Sequence, residues 1–382
     1  MTNSGNKAMR VVLLGTYDLG KPRTRLLREA LRNIDPDLRE LHFSVWHGVE
    51  DKSVMSGPGA KLGVMMRLVL AYPVLAVRYL FAGRHDLVVI GYLGLFDMLL
   101  LSPLAKLRGK PVVWDAFLSI YDTYARDRGM GAEGGWKSRL LRCMEKRACK
   151  IADRVVLDTR AHAALLGELH KVPEAKLDAV LVGAESSVFD RVARKSASHG
   201  PAVRVLFYGQ FIPLHGIDTI IAAAIQPRGR QFHWTIVGQG QDAPRIDRQL
   251  AEHDLPHVSR IGWVNYDELA SLMEQADICL GIFGTSEKAA RVIPNKVYQA
   301  LSAGKPLITR DSPAMRELVP AGAEGLYLVP EADPAALLDA LEQFTGEREE
   351  LSAGLHSELR ERFAFPALVE QWRTVLEKAA AR

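Results

Sequence analysis

The sequence predicts an α/β protein made of doubly wound parallel sheets in two domains, and three observations carry that prediction. Short β-branched apolar runs alternate with amphipathic stretches of helical length along the whole chain, the pattern of parallel strands covered by helices on both faces. The chain has 382 residues, which at roughly 150 residues per domain suits two domains. Charge also divides unevenly. Residues 1–195 hold 31 Lys and Arg against 21 Asp and Glu, and residues 196–382 hold 18 against 24. Halves of opposite net charge suit domains with different partners.

Composition narrows the class. Hydrophobic residues make up 48% and charged residues 25%, which excludes disordered and collagenous chains. Cys143, Cys149 and Cys279 form neither a disulfide framework nor a zinc pattern, so a reducing cytoplasm fits. The polar first ten residues lead straight into an apolar strand, unlike a signal peptide. The basic first half suits an anionic substrate or an anionic membrane surface. Nucleic acid is the weakest of the anionic partners and none is expected, because no RNP, helix-turn-helix or zinc-finger pattern accompanies the charge.

Strands are predicted at residues 11–14, 41–45, 87–90, 111–114 and 154–157 of the first half, and at 204–208, 233–237, 278–282, 306–309 and 325–329 of the second. Residues 191–201, RVARKSASHGP, are polar, hold Gly and Pro and lack periodicity, and read as the linker. The domains are therefore placed at 1–195 and 200–365. The first strand of each ends in a glycine turn, Gly15-Thr16-Tyr17 and Gly209-Gln210-Phe211. Such a turn lets backbone approach a ligand at the carboxyl edge of a sheet. Neither completes a G-x-G-x-x-G fingerprint, which disfavours a nicotinamide dehydrogenase.

Residues 61–81 are the most apolar stretch, KLGVMMRLVLAYPVLAVRYLF. Arg67, Pro73 and Arg78 interrupt it, against a membrane span. Two readings stay open: a helix covering the core of the first domain, or a basic amphipathic helix lying on a membrane surface.

The window 281–311 carries the chemistry. A strand runs into a polar loop, then Pro294 and Asn295 open a helix that Gly304 closes, with Lys296 in the first turn and Arg291 before it. A helix start with a fixed cation beside open backbone N–H groups is an anion site suited to a diphosphate.

Here the sequence resembles the retaining GT-B glycosyltransferases of glycosyltransferase family 4. PNKVYQALSAGKPLITRD is similar to that family's nucleotide-sugar segment, Pro-x-Lys-hydrophobic-aromatic-Glu followed by Leu-Ala-x-Gly-x-Pro-Val. FYGQFIPLHGIDTIIAAA, WTIVGQGQD and VSRIGWVNYDELASLMEQADICLGIF resemble its other donor-side segments, and MEKRACKIADRVVLDTRAHAALL resembles one in its first domain. The resemblance implies two Rossmann-like domains facing across a cleft, the first binding acceptor and the second a nucleotide-diphosphate sugar, with the last helix, 366–382, crossing back onto the first. It implies metal-independent sugar transfer with retention. The acceptor would be a glycan, a lipid-linked oligosaccharide or a small molecule, in cell-surface polysaccharide or glycolipid synthesis. No cofactor is expected.

Carried onto this chain, the resemblance makes Gly209 and Gly216 shape the diphosphate loop and Gly238 and Gly240 make room for the nucleotide. Lys296, helped by Arg291, Pro294, Asn295 and Val297, holds phosphate, and Trp263 and Val264 border the base. The family's Arg after the first glycine is Gln210 here, its Lys before the second is His215, and its paired glutamates fall on Arg291 and Gln299. Gln299 still hydrogen-bonds a ribose hydroxyl, and Glu287 is the available substitute for the first glutamate. These changes leave a silent binding or scaffold protein as the alternative, and a nucleotide-sugar epimerase as a more distant one.

On the acceptor side, Asp115 follows the strand 111–114 and is expected to point into the cleft as a catalytic carboxylate, with Asp122 seven residues on. The alternative is that Asp115 caps a helix and Asp122 belongs to a turn. Gly15, Tyr17, Arg23 and Tyr92 are expected to line the same cleft. Asp35-Pro36-Asp37 resembles a metal signature, but Pro at its centre favours a turn and no further ligand cluster completes a site.

Overall fold

In the computed structural model, residues 9–46, 58–184, 189, 192, 202–352 and 354–381 are described. The chain divides into two compact units, one of Met1–Tyr121, Gly131–Val182 and Phe365–Arg382, the other of Asp122–Met130 and Gly183–Ala364. The second unit thus takes nine residues, 122–130, from the middle of the first half, a crossing with no local signature. The stretch read as a linker lies, apart from Val192, outside the described residues.

The first unit holds a six-stranded parallel sheet in the order β2-β1-β3-β4-β5-β6. Its strands are β1 (Val11–Gly15), β2 (Arg39–His42), β3 (Leu87–Ile90), β4 (Val112–Phe117), β5 (Arg154–Leu157) and β6 (Leu177–Ala179). Side chains alternate between the two faces. Val12, Leu14, Val88, Ile90 and Trp114 pack on one side against Ala71, Leu75 and Tyr79 of helix α2 (Pro58–Leu80). Val11, Leu13, Leu87, Val89 and Val113 pack on the other against Leu27 and Leu31 of helix α1 (Pro22–Ile34) and Trp372 and Leu376 of the helix Phe365–Ala380. Both faces are covered, which is why the strands read as continuous apolar runs. β6 went unpredicted because Leu-Asp-Ala is too short to show a pattern.

The second unit repeats the plan in the order β12-β11-β10-β7-β8-β9, all parallel. Its strands are β7 (Arg204–Tyr208), β8 (His233–Val237), β9 (Val258–Ile261), β10 (Ile278–Leu280), β11 (Leu307–Arg310) and β12 (Leu326–Val329). In each sheet the chain winds outward from a central pair, β1 and β3 in the first, β7 and β10 in the second. The loops leaving such a pair diverge, and a crevice opens at the carboxyl ends of the strands.

Two sequence readings resolve here. Asp35 is a turn residue, its carboxylate accepting from Val11 N at 2.7 Å and Asp37 N at 3.1 Å. Helix α2 is neither wholly core nor wholly surface: Val64, Ala71, Leu75 and Tyr79 are buried, whereas Met65, Met66, Val69, Leu70 and Val77 are more than half exposed.

Candidate functional site

At the carboxyl edge of the second sheet, β7 and β8 each end in a glycine. Gly209 and Gly238 both have φ +146°, and a Cβ on Gly238 would overlap the Gly209 carbonyl oxygen. The two turns therefore close on each other, fastened by Gly209 N to Val237 O at 3.0 Å and Phe211 N to Gln239 O at 2.7 Å. Gly240 sits where a Cβ would strike the Phe211 backbone. The first turn continues to His215, whose Nδ1 donates to the Gln210 carbonyl, and Gly216 at φ +61° opens the helix Ile217–Ile225.

The helix Asn295–Ser302 begins against this turn. Its cap is Pro294, extended and without a side-chain hydrogen bond to the first turn, so Asn295 is the first helical residue and not the cap. The opening N–H groups lack a side-chain partner. Lys296 folds inward from this turn and is only 5% exposed. Among the described residues its Nζ has no hydrogen-bond partner; it lies 3.8 Å from the Phe207 ring centroid and would be 3.0 Å from a Cβ on Gly209. The same Cβ would be 3.0 Å from His215 Cε1, so Gly209, His215 and Lys296 meet at one point. Burial holds the Lys296 ammonium well below the usual lysine range. His215 is likewise held well below the ordinary histidine range, by burial and then by the nearby Lys296, Arg128 and Lys288 cations. A concentration of positive potential with too little protein counter-charge binds an anion.

Arg128 was not singled out by sequence. It comes from the crossing segment 122–130, whose π-helical turn Thr123–Asp127 is pinned to the helix Glu287–Arg291. Lys288 Nζ donates to Thr123 Oγ1 at 2.9 Å and approaches Asp127 Oδ2 at 3.5 Å, while Ser286 Oγ donates to Asp127 Oδ1 at 2.9 Å. Arg128 stands just beyond that turn, its buried Nε without a hydrogen-bond partner among the described residues. Contacts across some 160 residues of chain leave no spacing to read; the only sequence signal is the basic run Arg126 and Arg128 flanking Asp127.

The other residues expected around the donor divide. Gln299 is buried on the same helix as Lys296, and Val297 is wholly buried in the core, so its side chain is not a ligand contact. Arg291 donates to exposed Glu287 at 3.2 Å, a pair one helical turn apart. Trp263 is 66% exposed beyond β9, and Val264 beside it is half-buried.

In the first unit the structure corrects the acceptor-side expectations. Asp115 lies inside β4, not beyond it, and is fully buried. Its carboxylate accepts from Arg23 Nη2 at 2.7 Å and from Nε at 3.1 Å, and Arg23 Nη1 donates to Val180 O at 2.6 Å. Neither residue faces open space. Burial pushes the Asp115 carboxyl up and the Arg23 guanidinium opposes that rise. The Gly15 turn is filled by Asp97, where a Cβ on Gly15 would overlap the carboxylate; Thr16 N donates to Asp97 Oδ2 at 2.8 Å. Burial pushes the Asp97 carboxyl up to about 6, against the pull of those Thr16 bonds. Tyr17 is buried, donates to Glu40 at 3.2 Å and stacks on His42. Tyr92 is half-buried against Phe117. Asp122 is buried and belongs to the second unit.

Residues 202–347 match the family described as glycosyl transferases group 1. Among curated proteins, the Uncharacterized glycosyltransferase MJ1178 of Methanocaldococcus jannaschii is 27% identical over 121 residues, 32% of each chain. The Putative colanic acid biosynthesis glycosyltransferase WcaL of Salmonella typhimurium is 25% identical over 178 residues, 45% of this chain and 43% of that one. These alignments span from about a third to under half of the relatives' length. Among solved structures, HepE of Anabaena in complex with UDP superposes with a TM-score of 0.68 at 14% identity, covering 97% of this chain and all of that one. Residues 202–347 are therefore a glycosyl transferases group 1 domain, carried by a chain with the GT-B fold.

Proposed function

We propose that this protein transfers a sugar from a nucleoside-diphosphate sugar to a hydroxyl acceptor, with retention and without a metal ion, in cell-surface polysaccharide or glycolipid synthesis. The observation that carries this reading is the buried Lys296 ammonium, without a hydrogen-bond partner among the described residues, at the point where β7 and β10 diverge. A charge desolvated without a counter-ion costs several kcal/mol, and the arrival of a phosphate offsets that cost. Lys296 then binds a donor phosphate oxygen, with the N-terminal turn of the helix Asn295–Ser302 beside it. Arg128 supplies a second cation, in the role the family gives to the position of Gln210. Trp263 and Val264 border the base, and Gln299 reaches a ribose hydroxyl. As the sugar leaves, charge grows on the diphosphate, and cations already in place stabilise it without reorganising. HepE is known with UDP and with UDP-glucose, and WcaL is named for colanic acid biosynthesis, which supports the donor class and the polysaccharide role.

The test is thermal stabilisation by UDP, GDP, ADP, CDP and dTDP in the presence of EDTA. A nucleotide at 100 times its Kd adds ~2.7 kcal/mol, a midpoint rise of roughly 5–10 °C for a domain of this size. One nucleotide should give that rise and identify the donor. If none does, and no nucleotide sugar does either, the scaffold reading replaces transfer. Release of an altered sugar without acceptor would make the protein an epimerase.

A further inference from the structure

Helix α2 carries two apolar faces, and among the described residues only one has a partner. Val64, Ala71, Leu75 and Tyr79 pack on the first sheet. On the opposite side Leu62, Met65, Met66, Val69, Val77 and Leu80 are all more than half exposed, spaced three, four and seven residues apart as one helical stripe. Phe81, at 83% exposure, ends the stripe. An unpartnered apolar surface of this extent marks an interaction site.

The flanking charge identifies the partner. No Asp or Glu occurs between residues 58 and 85, whereas Lys61, Arg67, Arg78 and Arg84 do. Arg67, Arg78 and Arg84 are exposed. We infer that α2 docks this protein on an anionic membrane, its Met- and Leu-rich stripe sunk to the acyl boundary and its arginines at the level of the headgroups. Helix Leu62–Leu80 is long and apolar enough to cross a bilayer, yet its buried face is part of the sheet core, so it lies in the interface plane and does not span. The inference does not depend on the proposed reaction, since vesicle binding is read without donor or acceptor.

Co-sedimentation of the full chain with phosphatidylcholine vesicles containing 30% phosphatidylglycerol, against pure phosphatidylcholine, tests it. Binding should be strong to the anionic vesicles and weak to the neutral ones, and should fall as salt rises. Val69→Glu with Val77→Glu, both at exposed positions, should abolish it with no change in thermal midpoint. Arg67→Gln with Arg84→Gln should weaken it about 25-fold, at roughly fivefold per charge. Equal indifference to both vesicles overturns the inference. So does a soluble dimer that Val69→Glu with Val77→Glu dissociates while vesicle binding is absent, which would assign the stripe to a second copy of the chain.

Discussion

Lys296→Met should cut kcat/KM for sugar transfer by about two to three orders of magnitude, the range seen when one preorganised transition-state donor is removed, and should leave the ligand-free protein more stable. Methionine keeps the length and apolar stem of lysine, so the contact with Phe207 survives while the desolvated charge disappears. Loss of activity with a gain in stability separates a ligand-directed cation from a structural one, because removing a structural ion-pair partner destabilises. The pH dependence carries the same sign. Burial lowers the folded-state pKa of Lys296, so between that value and the ordinary lysine pKa the unfolded chain binds the extra proton. Stability of the ligand-free wild type therefore rises with pH through that window, and this part of the slope should vanish in Lys296→Met. A bound diphosphate favours the protonated lysine, so nucleotide binding should take up protons, and His215 and Lys288, both held low by burial, are the other groups able to respond. Calorimetry of nucleotide binding in two buffers of different ionisation enthalpy reads that uptake. Uptake undiminished in Lys296→Met, with transfer intact, would remove Lys296 from the site.

What the sequence revealed of this site follows from the range of the interactions. Gly209, Gly238 and Lys296 were legible because each sits in a local pattern, a strand followed by glycine or a proline-started helix followed by glycine, and local geometry fixes where such a residue points. The same holds for the strands β3, β5, β7 and β8, whose bounds came out of apolar runs alone. Arg128 was invisible because its place depends on Lys288 and Ser286 gripping Thr123 and Asp127 from the far half of the chain. Asp97 was invisible for a related reason: nothing near residue 97 says that its carboxylate fills the turn at Gly15. Lys288 and Arg291 could be named as cations, but only the fold shows that each meets a carboxylate, Asp127 and Glu287 respectively.

Asp115 shows how a correct position can carry the wrong role, and its substitution has the second large effect. The sequence places a carboxylate near the end of a central strand, where ligands bind in open α/β sheets. The strand runs on to Phe117, however, and three residues of difference turn an edge position into a core one. There Arg23 ties together α1, β4 and the Val180 carbonyl after β6, and its guanidinium lies 5.1 Å from the Trp372 ring of the C-terminal helix. Asp115→Ala leaves that guanidinium buried and unpaired, and should cost ~3–5 kcal/mol. Adding Arg23→Met removes the stranded charge and should recover more than half of the loss, since a buried pair replaced by apolar groups is often close to neutral. Both units being present, unfolding is best followed by hydrogen exchange at β4 and β5, with amides of β7 and β8 as the internal control. The first unit should lose protection in Asp115→Ala while nucleotide binding by the second is unchanged. A catalytic Asp115 would give the opposite record: Asp115→Asn with undiminished protection, wild-type nucleotide binding and no turnover.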